Sequence, residues 1–179
     1  MTGLLSFDPQ WSSFDGRVLA TQVTHASGLY EPFMIYVIYA PATRSERLSF
    51  FHSIDSLFHL DQSPAARCLF LGDFNHNIHQ HSQSPSLQPW LNWIRSHLYD
   101  PLHADPDCRD PPTFRHISTI DFILTTEDLQ HYVTRPQLSY VTGFDHSAIS
   151  ITLALGQARV GNGLWRCNPL LARDSRFRK

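Results

Sequence analysis

LFLGDFNHNIH, residues 69–79, is the stretch on which the fold turns. A run of large apolar side chains stops at Gly72 and is followed at once by Asp73, Phe74 and Asn75. One reading is a buried strand that has reached its end, since Gly-Asp after a strand is ordinary turn chemistry. The other is a strand that exists to hold Asp73 and Asn75 where a reaction needs them. The stretch alone leaves both open, and the rest of the chain has to decide.

Working outward, ARCLFLGDF (residues 66–74) is a short, continuously apolar strand of the kind buried on both faces. Before it, TRSERLSFFHSIDSLFHL (43–60) carries Leu48, Phe51, Ile54 and Phe58 at helical spacing behind a capping-box pair, Thr43 and Glu46. Ser63-Pro64 is expected to end that helix. GRVLATQV (16–23) and PFMIYVIYAP (32–41) are rich in β-branched and aromatic residues and read as strands, joined by HASGLYE as a hairpin connection. On the other side, HNIHQHSQSPS is a polar loop and LQPWLNWIRSHL (87–98) a second helix. DPLHADPDCRDPP (100–112) holds four prolines and four aspartates and is expected to be irregular throughout. STIDFILTT and SAISITLAL are further strands. The order predicts a layered α/β protein with a mixed or largely antiparallel sheet.

With 179 residues, 42% hydrophobic and 12% aromatic, the chain suffices for one domain with a real core. The net charge of -2 supplies no global positive field to attract nucleic acid or an anionic membrane, though a local patch or a bound cation could do so. Eleven histidines are the compositional oddity. Cys68, Cys108 and Cys167 are odd in number and widely spaced, which fits a reducing compartment better than a disulfide framework. The N-terminus lacks a signal-peptide pattern, and no segment approaches the roughly 18 continuous apolar residues of a membrane span. A soluble, intracellular, monomeric protein is expected, nuclear if its target is genomic DNA.

Four strand ends carry polar residues: Tyr39 in IYAP, Asp73 and Asn75 in GDFN, Asp121 in STIDFIL, and Asp145 with His146 in FDHSAI. Each has a bland reading. Tyr39 could be a core residue with its hydroxyl satisfied, Asp73 with Asn75 an Asx-type turn, and Asp145-His146 a turn before a strand. Asp121 is harder to dismiss, because it interrupts the apolar run of Ile120, Phe122, Ile123 and Leu124. A carboxylate buried there unpaired costs several kcal/mol, so it needs a partner, and a histidine is the natural one.

YAP, LGDFN, STIDFIL and DHSAI in this order resemble the endonuclease/exonuclease/phosphatase superfamily, the DNase I-like fold that includes the endonuclease domains of LINE-type retrotransposons. The resemblance runs from about Gly16 to Leu155. It implies a DNase I-like four-layer α/β sandwich of two packed, largely antiparallel sheets flanked by helices, with residues 1–156 as the domain and 157–179 as a linker or tail. It also implies phosphodiester hydrolysis with Mg2+ or Mn2+ and DNA as partner. By the same resemblance His146 is the general base or phosphate contact, Asp121 orients it, and Asp145 is a metal ligand. Asp73 orients or deprotonates the nucleophilic water, while Asn75 and Tyr39 bond the phosphate or leaving oxygen. Phe114 in PTFRH matches an aromatic that often precedes the dyad aspartate, with packing as its expected job.

The chain also departs from the pattern. Family members begin with a strand ending in asparagine and a metal-binding glutamate in a Q-E-T-like motif, and neither is present. Asp8, Asp15 and Glu31 are the early acids, and none sits in such a motif. GLLSFDPQWSSFDGRVLATQV instead resembles the family's third and fourth strands, so the domain is expected to be incomplete at its N-terminus and the chain alone inactive. GNGLWRCNPLLARDSRF resembles the linker that leads from a LINE-type endonuclease toward the reverse transcriptase. The alternative is an amphipathic tail whose Trp165 docks on the sheet.

HNIHQH, with His76, His79 and His81, could bind Zn2+ or Ni2+, but such runs in polar loops are usually adventitious. Lying beside Asp73, a histidine such as His76 could instead touch substrate. Two rivals to the endonuclease remain: a non-catalytic remnant that binds nucleic acid, and a phosphodiesterase of this fold acting on lipid head groups.

Overall fold

The computed structural model describes residues 5–13, 16–58, 67–80, 84–85, 87–104 and 111–156, with backbone only at 7, 9–13, 55 and 56. The Ser63-Pro64 helix end, Asp15, His81, Cys108, Cys167 and the tail 157–179 lie outside the described residues.

Six strands form the main sheet: β1 (Leu5–Ser13), β2 (Val18–His25), β3 (Phe33–Tyr39), β4 (Cys68–Asp73), β5 (Leu98–Tyr99) and β6 (Asp121–Thr126), in the spatial order β1-β2-β3-β4-β6-β5. All neighbours are antiparallel except β3 and β4, which run parallel. Parallel neighbours require a crossover, and the helix α1 (Arg44–Phe58) lies in the segment that makes it. A second sheet pairs β7 (Val133–Ser139) with β8 (Ala148–Leu153).

The period-two pattern of β4 and β6 separates two cores. Cys68, Phe70, Phe122 and Leu124 face one way and join Phe51 and Ile54 of α1 with Trp90, Leu91, Trp93 and Ile94 of α2 (Gln88–His97). Leu69 and Ile123 face the other way and pack with Val23, Phe33 and Leu129 against Ile149, Ile151 and Leu153 of β8. β4 is therefore covered on both faces, which explains its unbroken apolar run. Helices, a six-stranded sheet and a two-stranded sheet thus lie in layers, as the element order predicts. The face of α1 expected from its spacing is the buried one, with Phe51 and Ile54 almost wholly enclosed.

One expectation needs correction. The stretch 100–112 is not irregular throughout, because α3 (Pro101–Ala104) forms within it. Asp100 Oδ1 accepts the N–H groups of Leu102 (3.0 Å) and His103 (3.2 Å), and Pro101 opens the turn with φ already helical. β7, a segment to which the sequence reading assigned no element, carries Pro136 in its middle. The pairing slips between Thr134 and Gln137, with Arg135 at φ 51, so the proline falls where no ladder donor is required. A last short helix, α4 (Glu127–Gln130), follows β6.

Candidate active site

The ends of three strands bring the polar residues together. β3 pairs with β4 so that Tyr39 lies opposite Asp73, and β4 with β6 so that Asp73 lies opposite Asp121. Backbone bonds continue the alignment past the strand ends, from Ala40 N to Asp73 O (2.8 Å) and from Phe74 N to Ile120 O (2.8 Å).

Gly72 explains why the apolar run breaks before Asp73. Its φ is +133°, and a Cβ there would sit 2.0 Å from the Ile38 carbonyl oxygen, so only glycine lets β3 and β4 approach this closely. Asn75, at φ 48, occupies the left-handed region that asparagine tolerates better than most residues. Its N–H donates to Asp73 Oδ1 (2.7 Å), while its side-chain amide donates to Asp73 Oδ2 (2.9 Å) and to Ala40 O (2.9 Å). The Asx-type turn and the presentation of a carboxylate are therefore one structure: the turn aims Asp73.

His146 supplies the partner that Asp121 needs. Its Nδ1 lies 3.0 Å from Asp121 Oδ2 and 3.2 Å from Oδ1, and Phe114 packs beside the imidazole with ring centroids 4.9 Å apart. With Nδ1 donating to the carboxylate, the other ring nitrogen carries the lone pair. Asp73, Asp121 and His146 form a group whose potential ligand atoms all lie within 4.8 Å of one another. Among the described residues it is the one such group of three.

Burial raises the Asp73 carboxyl above the ordinary aspartate value, and the nearby Asp121 adds to this. The Asn75 N–H, His146 and Arg47 pull it back down. Arg47, on α1, donates to Ala42 O (2.6 Å) and Pro41 O (3.2 Å), bracing the loop after Tyr39. Burial and the neighbouring Arg44 lower the Arg47 pKa, while Asp73 opposes that effect. Sequence reading missed Arg47, whose place in a helical pattern reads as solvated surface.

The remaining expected residues are placed as follows. Tyr39 is exposed, with the Arg17 guanidinium 5.4 Å from its ring centroid. Asp145 is exposed, its Oδ2 3.7 Å from Arg115 Nη2, and stands outside the converging group of three. His76 is half-buried, with Nε2 enclosed and unpartnered; burial, then Arg47 and Arg95, push its pKa down and keep it neutral. His79 pairs with Asp100 (2.8 Å) and stacks on His103, so the HNIHQH run gathers no three-histidine site among the described residues. Asp8 and Glu31 stand outside the converging group. The lone described cysteine, Cys68, is buried, its thiol pushed up to about 12 by burial.

The donor set suits a hard cation. Two carboxylates face each other across adjacent strands, and Asp73 of the pair carries a raised pKa that a positive charge would relieve.

No protein-family model and no curated protein sequence matches the chain. Solved structures do. An AP endonuclease from Archaeoglobus fulgidus superposes with a TM-score of 0.58 at 15% identity, covering 86% of this chain and 80% of that one. The endonuclease domain of TRAS1, a telomere-specific non-LTR retrotransposon, gives 0.58 at 13% identity over 87% and 69% of the two chains. A 3'-5' exonuclease from Neisseria meningitidis gives 0.56 at 15% identity over 83% and 70%. At such identities the likeness concerns the path of the chain.

Proposed function

We propose that this chain, which has the DNase I-like endonuclease/exonuclease/phosphatase fold, is a phosphodiesterase domain acting on nucleic acid. The observation that carries the proposal is the convergence of Asp73, Asp121 and a carboxylate-bonded His146 at adjacent strand ends. A phosphodiester is anionic, so hydrolysis needs a water deprotonated, charge neutralised and a leaving oxygen stabilised.

The residues divide that work. Asp121 holds His146 in the tautomer that leaves its second nitrogen free to accept a proton or to contact a phosphate oxygen. Asp73, aimed by Asn75, orients the attacking water. Asn75 would reach the phosphate by giving up its bond to Ala40, and exposed Tyr39 lies in the same strand-end row. His76 would need its ring to turn outward before touching substrate. Asp73 is the carboxylate best placed to hold Mg2+ or Mn2+, with Asp145 as the second proposed ligand. Such an ion would supply Lewis-acid stabilisation of the phosphoryl charge.

A second observation favours nucleic acid over a sugar or lipid phosphate. Tyr140, Val141 and Phe144, all exposed, border a recess of about 190 Å³ that His116 and His146 also line. Exposed aromatic surface beside a phosphate site suits stacking of nucleobases. The likeness to a retrotransposon endonuclease domain and the linker-like WRCNPLL motif support a LINE-type source, with a reverse transcriptase in the parent element.

Nicking of supercoiled plasmid tests the proposal, in Mg2+ and in EDTA, with His146→Ala alongside. Metal-dependent nicking that the variant loses is expected. A folded protein that binds DNA without cutting it would sink the hydrolytic reading in favour of a non-catalytic remnant, and cleavage of phosphoinositide alone would favour the lipid reading.

A further inference from the structure

We infer that Thr113 is the positioning residue that sets the geometry between Asp121 and His146, an inference that rests on that pair being the reactive one. Thr113 is 1% exposed and stands beside Phe114 in PTFRH, where no role was expected of it. Its Oγ1 accepts two backbone N–H groups, from Ile120 and from Asp121, both at 3.0 Å. Its carbonyl accepts the N–H of Ser147 at 2.7 Å, and its own N–H donates to Ser118 O at 2.9 Å. Ile120 in turn accepts the Phe74 N–H at 2.8 Å.

One buried residue is thus bonded to Asp121 itself and to the residue after His146, and reaches the residue after Asp73 through one further bond. β6 begins at Asp121, so the N–H groups at its start find an acceptor in a side chain. A hydroxyl has two lone pairs and can take both donors, whereas valine, of the same shape, can take neither. Losing the acceptor leaves two donors unpaired beside the core, at a cost that the start of β6 escapes by shifting. Asp121 then moves relative to His146, and misplacement by about 1 Å is enough to lower a rate on the order of 10²-fold.

Thr113→Val and Thr113→Ser in the full chain test this, with thermal melting, nicking kinetics and the downfield proton resonance of the His146 Nδ1–H as readouts. Thr113→Val is expected to melt cooperatively, to lose the resonance and to lower kcat on the order of 10²-fold with KM unchanged. Thr113→Ser is expected to restore both. Retention of the resonance in Thr113→Val overturns the inference. So does an equal loss in Thr113→Ser, which would mean that the methyl group and its packing matter. If Thr113→Val does not fold, Thr113→Ser and Thr113→Ala, which differ only in the hydroxyl, decide on the same readouts. If the wild type cuts nothing, the hydrolytic reading fails while the resonance still decides the positioning role. Its absence from the wild type overturns the pairing and the inference together.

Discussion

Asp73 and Asp121 stand directly opposite one another, the last residue of β4 facing the first of β6, with Tyr39 completing the row from β3. Strand register alone makes them neighbours, and one residue of slip would send one carboxylate to the other face of the sheet. The two acids share one environment and repel, which is part of why Asp73 holds its proton more tightly than an ordinary aspartate.

Asp121→Asn should leave the fold intact and lower nicking by about 10²–10⁴-fold, since the amide cannot hold His146 in the same tautomer. Single-turnover nicking with a parallel thermal melt checks this. A rate near wild type would remove Asp121 from the mechanism.

Asp73→Asn should stabilise the protein at neutral pH and have little effect near pH 3. The folded carboxyl binds its proton more tightly than the unfolded one, so ionising it costs folding free energy. That cost is absent below the unfolded pKa and grows as pH rises through the folded one. Melting curves across this range should show the variant gaining on the wild type as pH rises, and added Mg2+ should stabilise the wild type alone at pH 7.

Arg47→Met removes a positive charge that lowers the Asp73 pKa, together with bonds to Ala42 and Pro41. The acid limb of the pH–rate profile should therefore move to higher pH. An unmoved limb would mean that Asp73 ionisation does not control the rate.

Gly72→Ala should destabilise the domain by about 3 kcal/mol or more, because the new Cβ meets the Ile38 carbonyl and φ stays in the left-handed range. Chemical denaturation measures this, and a loss below about 1 kcal/mol would show that β3 and β4 can separate at low cost.

Phe144→Ala should weaken single-stranded oligonucleotide binding in EDTA by about 1–3 kcal/mol. An abasic strand of equal charge should bind both proteins alike. Equal weakening for the two strands would remove base stacking from the account.

Much of this arrangement is legible in the chain. Continuous apolar runs and helical spacing locate β3, β4, β6, α1 and α2, because burial on one or two faces imposes its period on the side chains. A carboxylate inside such a run signals a partner, and Asp121 has one in His146. β7 and α3 were hidden by their prolines. Pro136 sits at a pairing slip, and Pro101 at the start of a turn that the Asp100 side chain caps. Arg47, lying in a helical pattern, carries no local signal, and Thr113, though inside PTFRH, shows its role only through its bonds to Ile120 and Asp121.

Local pattern therefore specified the strands, the main helices and the candidate polar residues at their ends, since propensity and periodicity act over a few neighbouring residues. Which of those residues meet was decided by strand pairing. Asp145 looks in sequence as good an acid as Asp73, yet the register turns Asp73 toward Asp121 and leaves Asp145 exposed beside Arg115. The acceptor for the N–H groups at the start of β6 comes from Thr113, eight residues before Asp121, and the charge near Asp73 from Arg47 on α1. Their roles exist only once the fold has brought those segments beside the strand ends.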